Sequence, residues 1–258
     1  MPFEDEQNPR MEILPYQPVY VDLSSSIPSI KGNRLFLRPV TDSDVAALFA
    51  IRSRPEVAKS KSAIFLSTPS RNPDQEFCRE NRLQKLTNYM PGSYPPTPFK
   101  SIEETREWMA SKIFSQGPPD IIGRNFNLAV ILLSSTIDES QKQQEKQQQQ
   151  QLIGYVSINT LYPCPEIGYS FLPEYWGTGY ATEALQLMLK LWWGFPRRSV
   201  ERGAADSWGG NVEKVYAVCK KTNVASYRVL EKCGFEIVKE LCYDGVDILV
   251  WGVERSGL

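Results

Sequence analysis

The sequence predicts an α/β fold: a single domain on a mixed, mostly antiparallel sheet of about seven strands, with helices on both faces. Three observations carry this expectation. Strand and helix signals alternate through the middle of the chain, and antiparallel hairpins stand at both ends. The length, 258 residues at 41% hydrophobic, suffices for one large core.

Residues 1–30 hold scattered prolines and the run Ser24-Ser25-Ser26 without sustained periodicity, which predicts an extended arm ahead of a domain spanning 31–258. Arg34-Leu-Phe-Leu-Arg-Pro39 is a strand signal. Thr41-Asp-Ser-Asp44 supplies cap residues for a helix through Ala46, Leu48, Phe49 and Ile51. Prolines concentrate between Pro55 and Pro119, most densely in Pro91-Gly-Ser-Tyr-Pro-Pro-Thr-Pro98. They predict an insert over about 60–100 that is largely loop, with one short helix around Asp74 to Leu86. Ser101-Ile-Glu-Glu104 is a capping box opening a second helix, with Trp108 on its apolar side. Strands are expected over 126–133 and 152–160. Between them lie residues 141–151, QKQQEKQQQQQ, eight glutamines in eleven, read as a solvated hairpin insert. Residues 166–172 form the third strand of that group, and a long helix follows from about Tyr180. Lys214-Val-Tyr-Ala-Val-Cys219 is the next strand, then a helix from Asn223 to Cys233 that Gly234 ends. Strands over 235–243 and 246–253 close the chain.

Composition narrows the chemistry. Lys and Arg number 29 against 30 Asp and Glu, a balance that argues against a nucleic-acid partner. There is no histidine, so Ser-His or Cys-His pairs, His-ligated zinc and a histidine proton shuttle are excluded. Cys78, Cys164, Cys219, Cys233 and Cys242 form no C-x-x-C pair and no metal spacing. Neither a metal nor a complete disulfide framework is expected, and the reducing cytoplasm is the expected compartment. The acidic start MPFEDEQNPR has no apolar h-region, and the aliphatic run from Leu128 to Leu133 is too short for a bilayer, so no membrane partner is expected.

The most informative stretch is Glu166-Ile-Gly-Tyr-Ser-Phe-Leu-Pro-Glu-Tyr-Trp-Gly-Thr-Gly-Tyr-Ala-Thr-Glu-Ala-Leu185, a strand, a glycine turn and a helix. Ala181, Ala184, Leu185, Met188, Leu189 and Trp192 recur at helical spacing and predict a face buried against a sheet. Unpaired N–H groups and the positive dipole end of that helix face Gly177-Thr-Gly179, an arrangement that binds phosphate or pyrophosphate. Two glycines also fit a tight turn without a ligand. A dinucleotide fingerprint fails because Thr182 stands where its third glycine belongs, and a P-loop fails for want of Gly-Lys-Ser/Thr.

These residues resemble the GNAT superfamily of acetyl-CoA-dependent N-acetyltransferases, in the branch typified by ribosomal-protein N-terminal acetyltransferases. The resemblance rests on Glu166-Ile-Gly-Tyr169, on Tyr175-Trp-Gly-Thr-Gly-Tyr-Ala-Thr-Glu-Ala184, on Asn223-Val-Ala-Ser-Tyr-Arg-Val-Leu-Glu-Lys-Cys-Gly-Phe235 and on the opening Arg34-Leu-Phe-Leu-Arg-Pro-Val-Thr-Asp-Ser-Asp44. Together these cover roughly residues 30–255. The resemblance implies a splayed central parallel pair, formed here by strands 166–172 and 214–219, with pantetheine in the gap. It puts cofactor contacts on the backbone near Phe171 and Leu172, on Trp176, Gly177, Thr178, Gly179, Tyr180 and Ala181, and on Asn223. The family loop is often written Gln/Arg-x-x-Gly-x-Gly/Ala. Laid from Glu174, its first position is acidic, which is unfavourable beside a pyrophosphate unless the side chain points away.

Transfer to an amine requires removal of a proton, stabilisation of an oxyanion and departure of a thiolate. Without histidine, Glu166 is the first choice of base, acting through water. The same carboxylate also fits a structural pair with a nearby Arg or Lys. The tyrosine that many members carry four residues before Gly-Phe is replaced by Leu230. The branch places a serine here, Ser226, which could hydrogen-bond the sulfur. Equally, Asn223 could cap the helix and Ser226 bond backbone in its first turn. The expected partners are therefore acetyl-CoA and an amine acceptor, a protein N-terminus or a small amine. Two other functions stay open from sequence alone: an acyl-CoA-binding protein that has lost its chemistry, and an interaction protein using the glutamine tract.

Overall fold

One sheet carries eight strands: β1 (Ile30–Lys31), β2 (Leu35–Pro39), β3 (Phe126–Leu132), β4 (Leu152–Thr160), β5 (Glu166–Phe171), β6 (Lys214–Lys220), β7 (Glu236–Tyr243) and β8 (Val246–Glu254). The helices are α1 (Val45–Arg52), α2 (Pro55–Ser60), α3 (Ile102–Ala110), α4 (Tyr180–Gly194) and α5 (Val224–Lys232). This computed structural model describes residues 21–23, 26–60, 97–115, 119, 121–133, 151–161, 164–197, 212–243 and 246–255. The Asp74–Leu86 helix, the proline cluster up to Pro96, most of the N-terminal arm and all of the glutamine insert but Gln151 lie outside the described residues. Among the described residues no helix is long and apolar enough to cross a membrane.

The strand order is β1-β2-β3-β4-β5-β6-β8-β7, antiparallel throughout except between β5 and β6. All seven expected strands form. The eighth, β1, has only two residues, too few to leave a periodic signal. A second difference is α2, in a region expected to be loop. Pro55 opens it, at a position where the missing N–H costs nothing because no carbonyl of the helix would have accepted it.

Helices cover both faces because strand side chains alternate. Leu128 and Val130 of β3 pack with Met188 and Trp192 of α4 and Leu230 of α5. Their neighbours Ala129 and Ile131 face the other way, onto Leu48 and Ile51 of α1 and Trp108 of α3. Burial on both faces explains why β3 reads Phe-Asn-Leu-Ala-Val-Ile-Leu, almost without polar residues. The apolar stripe expected on α4 is the buried one, with Ala184, Leu185, Met188, Leu189 and Trp192 all in the core.

The parallel pair is barely a pair. β5 and β6 share one register position, Glu166 opposite Tyr216. β4 follows β5 as far as Phe171, and β8 follows β6 along its whole length. The sheet therefore opens between β5 and β6 just above Glu166.

The turn into α1 is tied to β2 by one buried carboxylate. Arg38 donates from both terminal nitrogens to Asp44 at 2.7 Å, and the Thr41 amide donates to the same side chain at 2.8 Å. Burial works to raise the Asp44 carboxyl, but these bonds and the Arg38 charge together hold it below its ordinary value. A carboxyl depressed in the folded state stabilises fully above its unfolded pKa, about 4, and loses that contribution as the pH falls through the folded value. Asp44→Asn should therefore cost about 1.5–3 kcal/mol at pH 7. Urea denaturation at pH 7 and pH 3 checks this: the gap between wild type and variant should narrow on acidification.

Candidate active site

The opening in the sheet is lined from three directions. β5 supplies Tyr169, Ser170 and Phe171, the loop before α4 supplies Trp176, Gly177 and Gly179, and α5 supplies Ser226, Arg228 and Lys232. They enclose a cavity of about 340 Å³.

The loop geometry follows from its glycines. Pro173–Tyr175 form a 3-10 turn, after which Gly177 and Gly179 take φ values of 75° and 84°. Side chains with a Cβ rarely adopt that left-handed region, so both positions favour glycine. The first backbone bond of α4 runs from the Glu183 amide to the Gly179 carbonyl at 3.1 Å. The amides of Tyr180, Ala181 and Thr182 consequently have no helical acceptor and stand at the positive end of the α4 dipole.

Arg34, just before β2, holds this loop from outside. Its Nε donates to Glu183 Oε2 at 2.8 Å, its Nη1 to the Thr178 carbonyl at 3.0 Å, and its guanidinium lies 4.5 Å from the Tyr180 ring centroid. The Arg34 amide donates to Glu183 Oε1 at 2.8 Å. Burial pushes the Glu183 carboxyl up, but the bonds and charge of Arg34 outweigh it and carry the group below its usual value.

Backbone parity decides which β5 groups face the opening. The Leu172 amide donates to Ile153 of β4 at 2.9 Å. In an antiparallel pair, donor and acceptor of one residue point to the same side and alternate along the strand. Ser170 and Gly168 thus bond β4, while the backbone groups of Tyr169 and Phe171 point toward β6, where no strand meets them. One is already taken: Trp176 Nε1 donates to the Phe171 carbonyl at 2.9 Å. The Tyr169 hydroxyl donates to the Ser226 carbonyl at 3.1 Å, joining β5 to the first turn of α5. Burial pushes this phenol well above its ordinary pKa, so it remains a donor.

Of the residues singled out in the sequence, Phe171, Trp176, Gly177, Gly179, Ala181 and Ser226 meet at the cavity. The others stand behind it. Leu172 commits its amide to Ile153 and packs toward α1 and α3. Thr178 Oγ donates to the Tyr175 carbonyl at 2.7 Å, and Tyr180 lies under Arg34. Asn223 caps α5, accepting the Ser226 amide on Oδ1 at 3.2 Å. Cap and cavity position therefore coexist: the Ser226 amide belongs to the helix, and the residue still lines the opening. Leu230, 1% exposed, is core. Tyr227 turns away to stack on Trp251, with centroids 6.2 Å apart. The thiols of Cys219, buried, and Cys233, half-buried, are both raised by burial, Cys233 to about 12.

Glu174 does point away, paired with Arg54 beyond the end of α1. The loop pattern also fits from a second starting position. Laid from Trp176 it reads Trp-x-x-Gly179-x-Ala181, and these three residues line the opening whereas Glu174 does not. Sequence reasoning also missed Arg228 and Lys232. The signal was present: Ala225, Arg228, Val229 and Lys232 follow the 3- and 4-residue steps of one helix face.

Glu166 lies at the foot of the opening, 8% exposed, on the sheet face that carries α1 and α3. Ser157 Oγ and Lys112 Nζ donate to Asn159 Oδ1 at 2.8 and 2.6 Å on that same face. Gly168 separates Glu166 from Ser170, and a Cβ there would come within 2.4 Å of Asn159 Nδ2.

Comparison with known proteins identifies the family. The acetyltransferase (GNAT) domain family model matches residues 34–236. A curated relative, the uncharacterized N-acetyltransferase YnaD of Bacillus subtilis, is 36% identical over 69 residues, covering 27% of this chain and 32% of the relative. A GNAT-family acetyltransferase from Bacillus anthracis superposes with a TM-score of 0.52 at 20% identity, covering 88% of this chain and 98% of that one. A probable GNAT-family acetyltransferase from Chromobacterium violaceum gives 0.51 at 16% identity, over 93% and 90%. At these identities the two structures speak for the fold.

Gly168→Ala should cost about 1–3 kcal/mol, because Asn159 must move or β5 must shift. A thermal-denaturation double-mutant cycle checks the cause: the penalty should largely vanish in an Asn159→Ala background.

Proposed function

The chain belongs to the GNAT acetyltransferase family, and on that premise we propose that it is an N-acetyltransferase passing the acetyl group of acetyl-CoA to a primary amine by direct attack in a ternary complex. The observation that carries this reading is the junction of three features: an open strand edge, a run of free amides and a cationic helix face. The chain's own groups fit the cofactor in kind. Free amides from Tyr180 to Thr182 suit a pyrophosphate. Arg228 and Lys232 at the cavity suit the remaining phosphate charge. The Tyr169 backbone and the Phe171 N–H, which no neighbouring strand meets, suit the amides of pantetheine.

Acetyl-CoA supplies an activated acetyl group on a good leaving thiol. The protein's share is to orient that group, take a proton from the amine and return one to the sulfur. Glu166 is assigned the first proton, through water, from the α1/α3 face of the sheet. The Phe171 N–H, held at the open edge, is assigned to the charge that develops on the carbonyl oxygen. Ser226 is assigned to the sulfur, and the Tyr169 hydroxyl, bonded to the same residue's carbonyl, fixes where that serine stands. The acceptor class is a protein N-terminus or a small amine, and residues 141–151 have no part in the transfer.

Release of CoA thiol over a panel of amines tests this reading. Glu166→Gln should lower kcat about 100-fold with KM for acetyl-CoA little changed, and Ser226→Ala should lower kcat less. Calorimetry should show both variants binding CoA as the wild type does. Binding without turnover on any amine would sink the catalytic assignment and leave a CoA-binding protein.

A further inference from the structure

A second cavity, of about 330 Å³, lies on the α1/α3 face and shares no residue with the first. Its volume is in the lower range of small-molecule sites. Val40, Thr41 and Asp42 enter it from the turn after β2, Arg106, Met109 and Ile113 from α3 and the residues after it, and Asn125 and Asn127 from the start of β3. Val45 and Ala110 complete the apolar part.

Three features make this more than a gap between elements. Asn127 is 3% exposed, and its Oδ1 has no hydrogen-bond partner. Leaving a buried carbonyl unsatisfied is costly, so a cavity beside it is a place where a donor can enter and recover that energy. Asp42 and Arg106, both exposed, bring opposite charges to the same cavity without an ion pair between them. Val40, Val45, Met109 and Ile113 give an apolar wall beside these polar groups. Ile113, 43% exposed, is among the large apolar side chains left most open to solvent.

We propose that this cavity binds a small zwitterion with an apolar body, of the α-amino-acid class. The ammonium group meets Asp42 and the Asn127 carboxamide, the carboxylate meets Arg106, and the aliphatic side chain lies on Val45, Met109 and Ile113. Each demand excludes a simpler ligand. An amine without a carboxylate leaves Arg106 unused, an acid without an amine faces Asp42 and the Asn127 carbonyl unfavourably, and a polar zwitterion wastes the apolar wall. The site is separate from the loop before α4 and stands whether or not the chain transfers acetyl groups.

Calorimetry on the full chain decides the matter, with leucine, 3-methylbutylamine, 4-methylpentanoate and serine as probes. Leucine should bind, and each of the other three should bind at least about tenfold more weakly, the loss expected when one charged or apolar contact is missing. Arg106→Gln and Asp42→Asn, both at exposed positions where folding is safe, should each weaken leucine about tenfold. Saturating CoA should leave leucine binding in place. No leucine binding overturns the proposal. So does equal binding of leucine and 3-methylbutylamine, or leucine affinity unchanged in both variants.

Discussion

Everything at the candidate site follows from one register position. Glu166 opposite Tyr216 is where β5 and β6 meet, and above it they part. The sheet is in effect two blocks, β1 to β5 and β6 to β8, fastened at that bridge and by the core under α4 and α5. Each block stays paired on its outer side, so the separation leaves unpaired backbone only on the two inner edges. Buried backbone groups need partners. On β5 the protein meets this demand sparingly: the Trp176 indole takes the Phe171 carbonyl, and the neighbouring groups are left facing the cavity. A strand edge that would otherwise invite another chain becomes a lined cleft.

The cleft is held open by contacts made at a distance in sequence. The Tyr169 hydroxyl ties β5 to α5, while Arg34 and Glu183 tie the start of β2 to the first turn of α4. Arg34 also holds the Thr178 carbonyl, so the loop keeps its shape without using the amides that face inward. Glu174 contributes by leaving, since its pairing with Arg54 removes a negative charge from the mouth of the cleft. The local electrostatics thus favour an anion through what is turned away as much as through what is presented.

The order of elements was legible because it depends on local patterns. The α4 stripe needed no tertiary information, nor did the Asn223 cap. What escaped has a common physical character. β1 is too short for periodicity and exists only as a partner of β2. The loop pattern has no unique register in the sequence, since small residues fit it from either Glu174 or Trp176. The bond from the Leu172 amide to β4 was hidden because a sequence does not show which edge of a strand is paired. Lys112 meets Asn159 across 47 residues, beyond any window of spacing.

The absence of histidine bears on which amines this site suits. The donors near the cavity, Tyr169 and Ser226, stay neutral, and burial drives the nearby thiol of Cys233 to about 12. On the proposed reading the proton acceptor is a single carboxylate with water, a weak base toward an ammonium group. At pH 7 an α-amino group with a pKa near 8 is roughly one-tenth neutral, whereas a lysine-type amine near 10.4 is neutral in only about one molecule in 2,500. The difference, about two orders of magnitude in reactive amine, costs the enzyme nothing when the acceptor is an α-amine. A lysine-type acceptor would require the site to make good about 3 kcal/mol, from a base that the residues lining this cleft do not include. On that reading, the chemistry open to the site without histidine is that of amines that already give up their proton near neutral pH.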